Sequence, residues 1–215
     1  MLQNRVDPLG NIIRTPARGH WMGNRGVLHN PQQEIVRPWK LKAWITCVLV
    51  FKGRRRAVMA PDRWTELFFF DEATAFAAGH RPCFECRRED ALRFKRCWLK
   101  GNPEYGFDER TSMQEIDAVL HRERVSADGQ KVMYDAYFGA LPDGSFILWK
   151  GEPHLVYDGL VYRWSPEGYA AGEPMPGSDS NEIRRIRDTV SVLTPRSVVK
   201  AFRAGYVVGV GLVRS

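Results

Sequence analysis

The sequence predicts an α+β fold: a small αβ module, then an antiparallel β meander with flanking helices. Three observations lead there. An apolar run from Lys42 alternates as a strand does, and two helical patterns bracket a Cys-x-x-Cys turn at Cys83–Cys86. Beyond Asn102-Pro103, short aromatic-rich runs are punctuated by Asp-Gly and Lys-Gly pairs at the spacing of a meander. The expected divisions are an arm or set of loops over 1–40, the module over 41–101, and an α+β region over 102–215.

Residues 1–40 carry Pro8, Gly10, Pro16, Gly19, Gly23, Gly26, Pro31 and Pro38 with little periodicity, so they read as an arm packed on something else. From Lys42, residues Ile45, Cys47, Leu49 and Phe51 face one way and Trp44, Thr46, Val48 and Val50 the other. Both faces are apolar, which predicts a buried strand over Ala43–Phe51. Lys52–Arg56 reads as a basic hairpin turn, Ala57–Ala60 as the return strand and Glu66–Phe70 as another strand. Asp71 caps a helix reaching Ala78, and Gly79 ends it. A second helix is expected from about Cys86 to Lys100, with Leu92, Phe94 and Trp98 as its apolar stripe.

Ser112 and Glu115 form a capping-box pattern that opens a helix to about Glu123. Phe146–Trp149, Leu155–Tyr157 and Leu160–Trp164 are the meander strands, and Trp149, Tyr157, Tyr162 and Trp164 are assigned to its core ahead of base stacking. Gly168–Ser180 reads as an exposed loop and Val190–Leu193 as a last strand. Pro195 is placed at the first position of a helix to about Ala204.

Charge is unevenly spread. The net charge of +7 conceals 19 Lys+Arg against 9 Asp+Glu over residues 1–100, and 13 against 16 over 101–215. One region therefore holds all the positive excess, the pattern of a polyanion-binding surface, with a solvated basic face as the bland alternative. The first 20 residues include Arg5, Asp7, Pro8, Arg14 and Pro16 and no apolar core run. No stretch approaches the ~20 apolar residues that span a bilayer. The expectation is a cytoplasmic protein, with no membrane partner and with reduced thiols.

Two cysteines separated by two residues can turn both sulfurs toward one point about 2.3 Å away, the reach of a zinc–thiolate bond. Cys83 and Cys86 are therefore expected to bind zinc, with a redox pair or two unligated thiols as rivals. Thioredoxin-type pairs follow a strand, whereas this one follows a helix and a Gly-His-Arg-Pro turn, which weighs against redox chemistry.

The stretch Phe69-Phe70-Asp71-Glu72-Ala73-Thr74-Ala75-Phe76-Ala77-Ala78-Gly79-His80-Arg81-Pro82-Cys83-Phe84-Glu85-Cys86-Arg87 resembles the metal-binding module of the bacterial Ada family over roughly residues 42–98. That resemblance implies zinc bound by thiolates, contact with DNA, and a thiolate that accepts a methyl group from a methylated phosphate. Cys83 and Cys86 carry over as ligands. The family's upstream cysteine pair is missing, and only Cys47, within the apolar strand, lies upstream; it matches loosely, with a small core residue as the alternative. His29, His80, His20 and Cys97 are the candidates for a fourth ligand, with His29 preferred. His80 stands where the family has an aromatic, so it can equally be a substitute ring.

The function expected first is a zinc-binding nucleic-acid-binding protein, DNA favoured, in repair or processing. Arg18, Arg25, Arg54, Arg55, Arg56, Arg81, Arg87 and Arg88 are its expected phosphate contacts. An enzyme acting on DNA is the second class, either a methyl acceptor through Cys47 or a nuclease. A protein-interaction module with a protein partner is the third. Nothing in the spacing of His29, His80, Asp62, Glu66 and Glu85 is diagnostic of a catalyst. His121 and His154 read as surface or satisfied residues.

Overall fold

The computed structural model describes residues 1–53, 57–174 and 189–212. Within them the chain is α+β, with two mostly antiparallel sheets and four α-helices. The first sheet contains β1 (Arg5–Val6), β2 (Ile12–Ile13), β3 (Trp21–Asn24), β4 (Ile45–Cys47), β5 (Leu67–Phe69) and β6 (Arg81–Pro82), in the order β2-β1-β5-β3-β4-β6. The residues read as an arm thus supply three of its six strands, and β3 lies inside the sheet between β5 and β4. Crowding explains the glycines that hid this pattern. A Cβ at Gly23 would sit 2.2 Å from the Ile45 carbonyl oxygen, and one at Gly19 would sit 2.7 Å from that of Phe69.

Two expected strands change. β4 pairs with β3 over only Ile45 to Cys47, and the chain beyond leaves the sheet, so that Leu49 is 48% and Val50 77% exposed. Residues 57–60 form no strand. Met59 sits in a turn at φ 52°, its amide bonded to a Glu66 carboxylate oxygen at 2.7 Å. An alternating apolar run is necessary for a buried strand but not sufficient; it also needs a partner at each residue.

The helices follow their caps. Asp71 accepts from the Thr74 amide at 2.7 Å and opens α1 (Glu72–Ala77). Gly79 ends that segment at φ 90°, and a Cβ there would meet Arg124 Cδ at 2.4 Å, so two independent constraints demand glycine. α2 (Arg88–Gly101) buries Ala91, Phe94 and Trp98, the i, i+3, i+7 positions, and leaves Leu92 exposed. In α3 (Met113–Arg124), Ser112 and Glu115 complete the reciprocal capping box. Pro195 precedes α4 (Arg196–Arg203) as its cap rather than its first helical residue.

The second sheet comprises β7 (Tyr134–Tyr137), β8 (Phe146–Trp149), β9 (Glu152–Tyr157), β10 (Leu160–Ser165), β11 (Gly168–Tyr169), β12 (Glu173–Pro174) and β13 (Thr189–Val192). β8, β9 and β10 are the expected meander, and β13 returns between β8 and β7. The segment read as a loop from Gly168 instead begins with β11 and β12, both paired to β10; its continuation over 175–180 lies outside the described residues. Trp149, Tyr157, Tyr162 and Trp164 pack against core clusters as partly buried residues.

One core cluster joins Phe76, Phe94, Trp98, Ile116, Leu120, Phe146, Leu155, Phe202 and Tyr206. It draws on all four helices and on β8 and β9, so burial runs across the division expected near residue 101. Each such side chain contributes about 1.5–3 kcal/mol when fully buried. A second cluster of Val6, Leu28, Leu67, Phe69, Ala75 and Ala78 seals the first sheet against α1. Among the described residues no helix is long and apolar enough to cross a membrane.

Candidate metal centre

The parallel pairing of β4 with β6 builds the site. Ile45 aligns with Arg81 and Thr46 with Pro82, and the Cys83 amide donates to the Thr46 carbonyl at 2.9 Å. That register carries Cys47 to the same place as the turn that follows β6. The sulfurs of Cys47, Cys83 and Cys86 all lie within 4.8 Å of one another. A tetrahedral ion with bonds of about 2.3 Å separates its thiolates by about 3.8 Å, so the three sulfurs fit one metal ion. Cys47 and Cys83 are buried and Cys86 is half-buried.

Backbone amides serve the sulfurs. The Glu85 amide donates to Cys83 Sγ at 3.3 Å, the Cys86 amide joins it, and the Val48 amide points at Cys86. A hydrogen bond from the Cys47 thiol, supported by those amides, pulls the Cys83 thiol down to about 5. The same bond, with burial, holds the Cys47 thiol well above its ordinary range, and burial also raises Cys86. Cys83 is therefore the one of the three that gives up its proton most readily. A bound cation would extend that loss to all three, since a coordinating thiol is deprotonated. Three soft sulfur donors and no carboxylate in the group suit a thiophilic ion of the zinc class rather than magnesium or calcium.

The arginines flanking the Cys-x-x-Cys turn do something other than face solvent. Arg81 is buried and forms a two-pronged pair with Asp117 of α3, Nε to Oδ1 at 2.9 Å and Nη2 to Oδ2 at 2.7 Å. Arg87 is buried as well. It pairs with Glu72 of α1, reaches Asp90 at 2.8 Å and Thr46 Oγ1 at 2.8 Å, and lies 4.1 Å over the Trp21 ring. Glu72 is further fixed by the Tyr206 hydroxyl at 2.9 Å and the Gly209 amide at 2.7 Å. Both guanidinium groups are thus internal bolts that hold the turn between α1, α2 and α3, and their assignment as phosphate contacts is corrected. Asp90 stands three residues from Arg87, but Glu72 and Asp117 lie 15 and 36 residues from their partners, where no local pattern reveals them.

The expected fourth ligands do not join the sulfurs among the described residues. His29 is buried with Nδ1 at 2.6 Å from Thr65 Oγ1 and Nε2 at 3.1 Å from the Ala60 carbonyl, so both ring nitrogens are already satisfied. His80 is a packing ring, 4.6 Å from Phe69 and 5.2 Å from Trp44 between ring centres, and its Nε2 accepts from Arg25. His20 lies against Phe70, and Cys97 packs from α2 onto the main core. Arg25 is buried on Trp44 and cannot reach a nucleic-acid backbone at the surface. Arg18 and Arg88 are exposed as expected, and Arg54, Arg55 and Arg56 lie outside the described residues.

In place of a fourth protein ligand, the three cysteines line a cleft of about 260 Å³. Its other walls include Met22, Leu49, Phe51, Trp64 and Phe68, an apolar set drawn from three separated segments, with Glu66 and Glu85 beside them. Only Leu49 and Phe51 belong to the run singled out by pattern; the rest carry no local signal of a shared wall. His121 and His154 are accounted for by packing, His121 edge-on to Trp39 and Trp44 and His154 with Nδ1 at 2.9 Å from the Glu152 carbonyl. Comparison of the chain with known protein families, with curated proteins and with solved structures returns no match.

Proposed function

We propose that this chain binds one zinc ion through Cys47, Cys83 and Cys86 and uses the metal-stapled region to dock nucleic acid, DNA favoured. The observation that carries the metal half is the convergence of three sulfurs from two segments 36 residues apart in sequence. Bound there, zinc would staple β4 to the turn after β6, and structural zinc contributes on the order of 10 kcal/mol to folding. Support for the nucleic-acid half is the positive excess of residues 1–100, now narrowed to exposed groups: Arg18 and Arg88, with Lys52 and Arg63. Trp64 is half-exposed on the wall of the cleft that holds the sulfurs.

Fluorescence anisotropy with labelled single- and double-stranded DNA, titrated with salt, tests this reading. Affinity is expected to fall linearly in log–log form as salt rises, because phosphate contacts release counterions. Arg18→Ala with Arg88→Ala should lower the slope by about 2. Absence of binding at low salt would remove the nucleic-acid half and leave the metal half standing.

A second reading, an enzyme acting on DNA, is favoured by the cleft itself. Three protein ligands beside an open position are the arrangement of catalytic zinc, whereas structural zinc is closed by four. Intact-mass measurement after incubation with methylated DNA decides the methyl-acceptor version: a gain of one methyl on Cys47 supports it, and an unchanged mass rejects it.

A further inference from the structure

A different site lies at the opposite end of β4. Trp44, just before that strand, is sandwiched by two buried guanidinium groups, with Arg25 Cζ 3.9 Å and Arg124 Cζ 4.0 Å from its ring centre. Among the described residues neither cation is paired with a carboxylate. Arg25 donates to His80 Nε2 at 3.2 Å, to the Gly10 carbonyl at 3.0 Å and to the Pro38 carbonyl at 3.4 Å, and its Nη2 has no hydrogen-bond partner among the described residues. Arg124 donates to the carbonyls of Gly79, at 2.7 Å, and Lys42, and its buried Nε has no hydrogen-bond partner among the described residues. Lys131 reaches the Ala77 carbonyl. Asp7, the acid whose charge acts on both Arg25 and Lys131, is held by the backbone and side-chain amides of Asn11, each at 2.9 Å. Arg81 nearby is neutralised by Asp117.

These groups open onto a cleft of about 650 Å³ that Arg25, Arg124, Lys131, Arg37, Gln130 and Trp39 help to line. Among the described residues no carboxylate lines it. Burying charge without a counter-ion is costly, several kcal/mol for each ion, so a cavity walled by three such cations is a site shaped for an anion. Forked guanidinium donors match the oxygens of a phosphate or carboxylate. The volume is that of a small-molecule site and exceeds what a bare inorganic anion fills.

We propose that this cleft binds a small phosphate monoester, its dianionic phosphate between Arg25, Arg124 and Lys131 and its body against Trp39. The three inner cations outnumber Asp7 by two and the exposed Arg37 adds a further positive charge at the cleft, which favours a dianion over a single carboxylate. Burial and the neighbouring cation Arg25 push the Lys131 ammonium down to about 7, and an arriving anion reverses that pressure. The site shares no residue with the thiol cluster, so it stands or falls independently of the metal reading.

Isothermal titration of the full chain with inorganic phosphate, 5′-AMP and succinate, at ionic strength held constant with chloride, tests the assignment. One saturable site is expected, with a Kd of about 1 mM or tighter for 5′-AMP. Inorganic phosphate should bind more weakly, and succinate at least about tenfold more weakly, which is about 1.4 kcal/mol. Lys131→Met should abolish binding. Gln130→Glu, at an exposed position that leaves the fold intact, should weaken it at least about tenfold and decides the matter should Lys131→Met not fold. No saturable binding, succinate binding as tightly as 5′-AMP, or wild-type affinity in Gln130→Glu would each overturn the proposal.

Discussion

Cys47 and Trp44 stand three residues apart at the two ends of β4, and each anchors a polar site of opposite construction. Around Cys47 the flanking arginines are closed off: Arg81 and Arg87 find Asp117, Glu72 and Asp90, and the cleft beside the sulfurs is lined by apolar side chains together with Glu66 and Glu85. Around Trp44 the cations Arg25, Arg124 and Lys131 meet carbonyl oxygens and, among the described residues, pair with no acid. The contrast teaches that basic residues beside a motif do not mark the surface that receives an anion. What distinguishes the two uses of arginine is the partner: a carboxylate turns the side chain into a bolt, and its absence leaves a receptor.

Breaking a bolt is the sharpest way to test that distinction. Asp117→Ala strands Arg81 in the interior and should destabilise the chain by about 3–5 kcal/mol, read by chemical denaturation. Replacing both partners by apolar residues, Arg81→Met with Asp117→Leu, should recover most of that loss. A single variant as stable as wild type would mean the pair does not hold the turn. Gly79→Ala attacks both regions at once, since Gly79 ends α1 before the cysteine turn and lies against Arg124. Strain at φ 90° together with the Arg124 clash should cost about 1–3 kcal/mol, and a neutral effect would contradict the packing described.

The receptor end should announce itself through pH. Lys131 titrates near 7 when folded and near 10.4 in an unfolded chain, because burial and the adjacent Arg25 and Arg124 outweigh the attraction of Asp7. Between those values the unfolded chain binds a proton that the folded chain has released, so stability rises as pH climbs from about 7 toward 10. Lys131→Met should flatten that rise. A slope identical to wild type would show that the ammonium is solvated rather than enclosed.

Much of the fold can be read from the residues alone because its signals are local. Asp71 three residues before Thr74, Ser112 before Glu115, and the glycine pairs between meander strands each act within a few positions. The pairing of Cys83 with Cys86 is equally local. Cys47 was reachable only through the resemblance, since an apolar run gives no reason to separate a ligand from a small core residue. Three kinds of information were out of reach. The glycines of β3 concealed a strand because they serve strand crowding, which needs the neighbour to be known. The pairing of Arg81 with Asp117 and of Arg87 with Glu72, and the clustering of Arg25 with Arg124, depend on contacts across 15 to 99 positions. His29 was a sensible ligand by type, and only its bonds to Thr65 and Ala60 show that its nitrogens are occupied.

The central claim, that Cys47, Cys83 and Cys86 together hold one metal ion, is tested most directly by metal content measured on the purified chain and on its Cys47→Ser and Cys83→Ser variants. About one zinc per chain is expected for the wild type. Each variant should lose it, and cobalt substituted into the wild type should show thiolate charge-transfer absorption that weakens in step. Stoichiometric metal retained by Cys47→Ser, or a wild-type chain that holds none and shows no cobalt–thiolate band, would contradict the account.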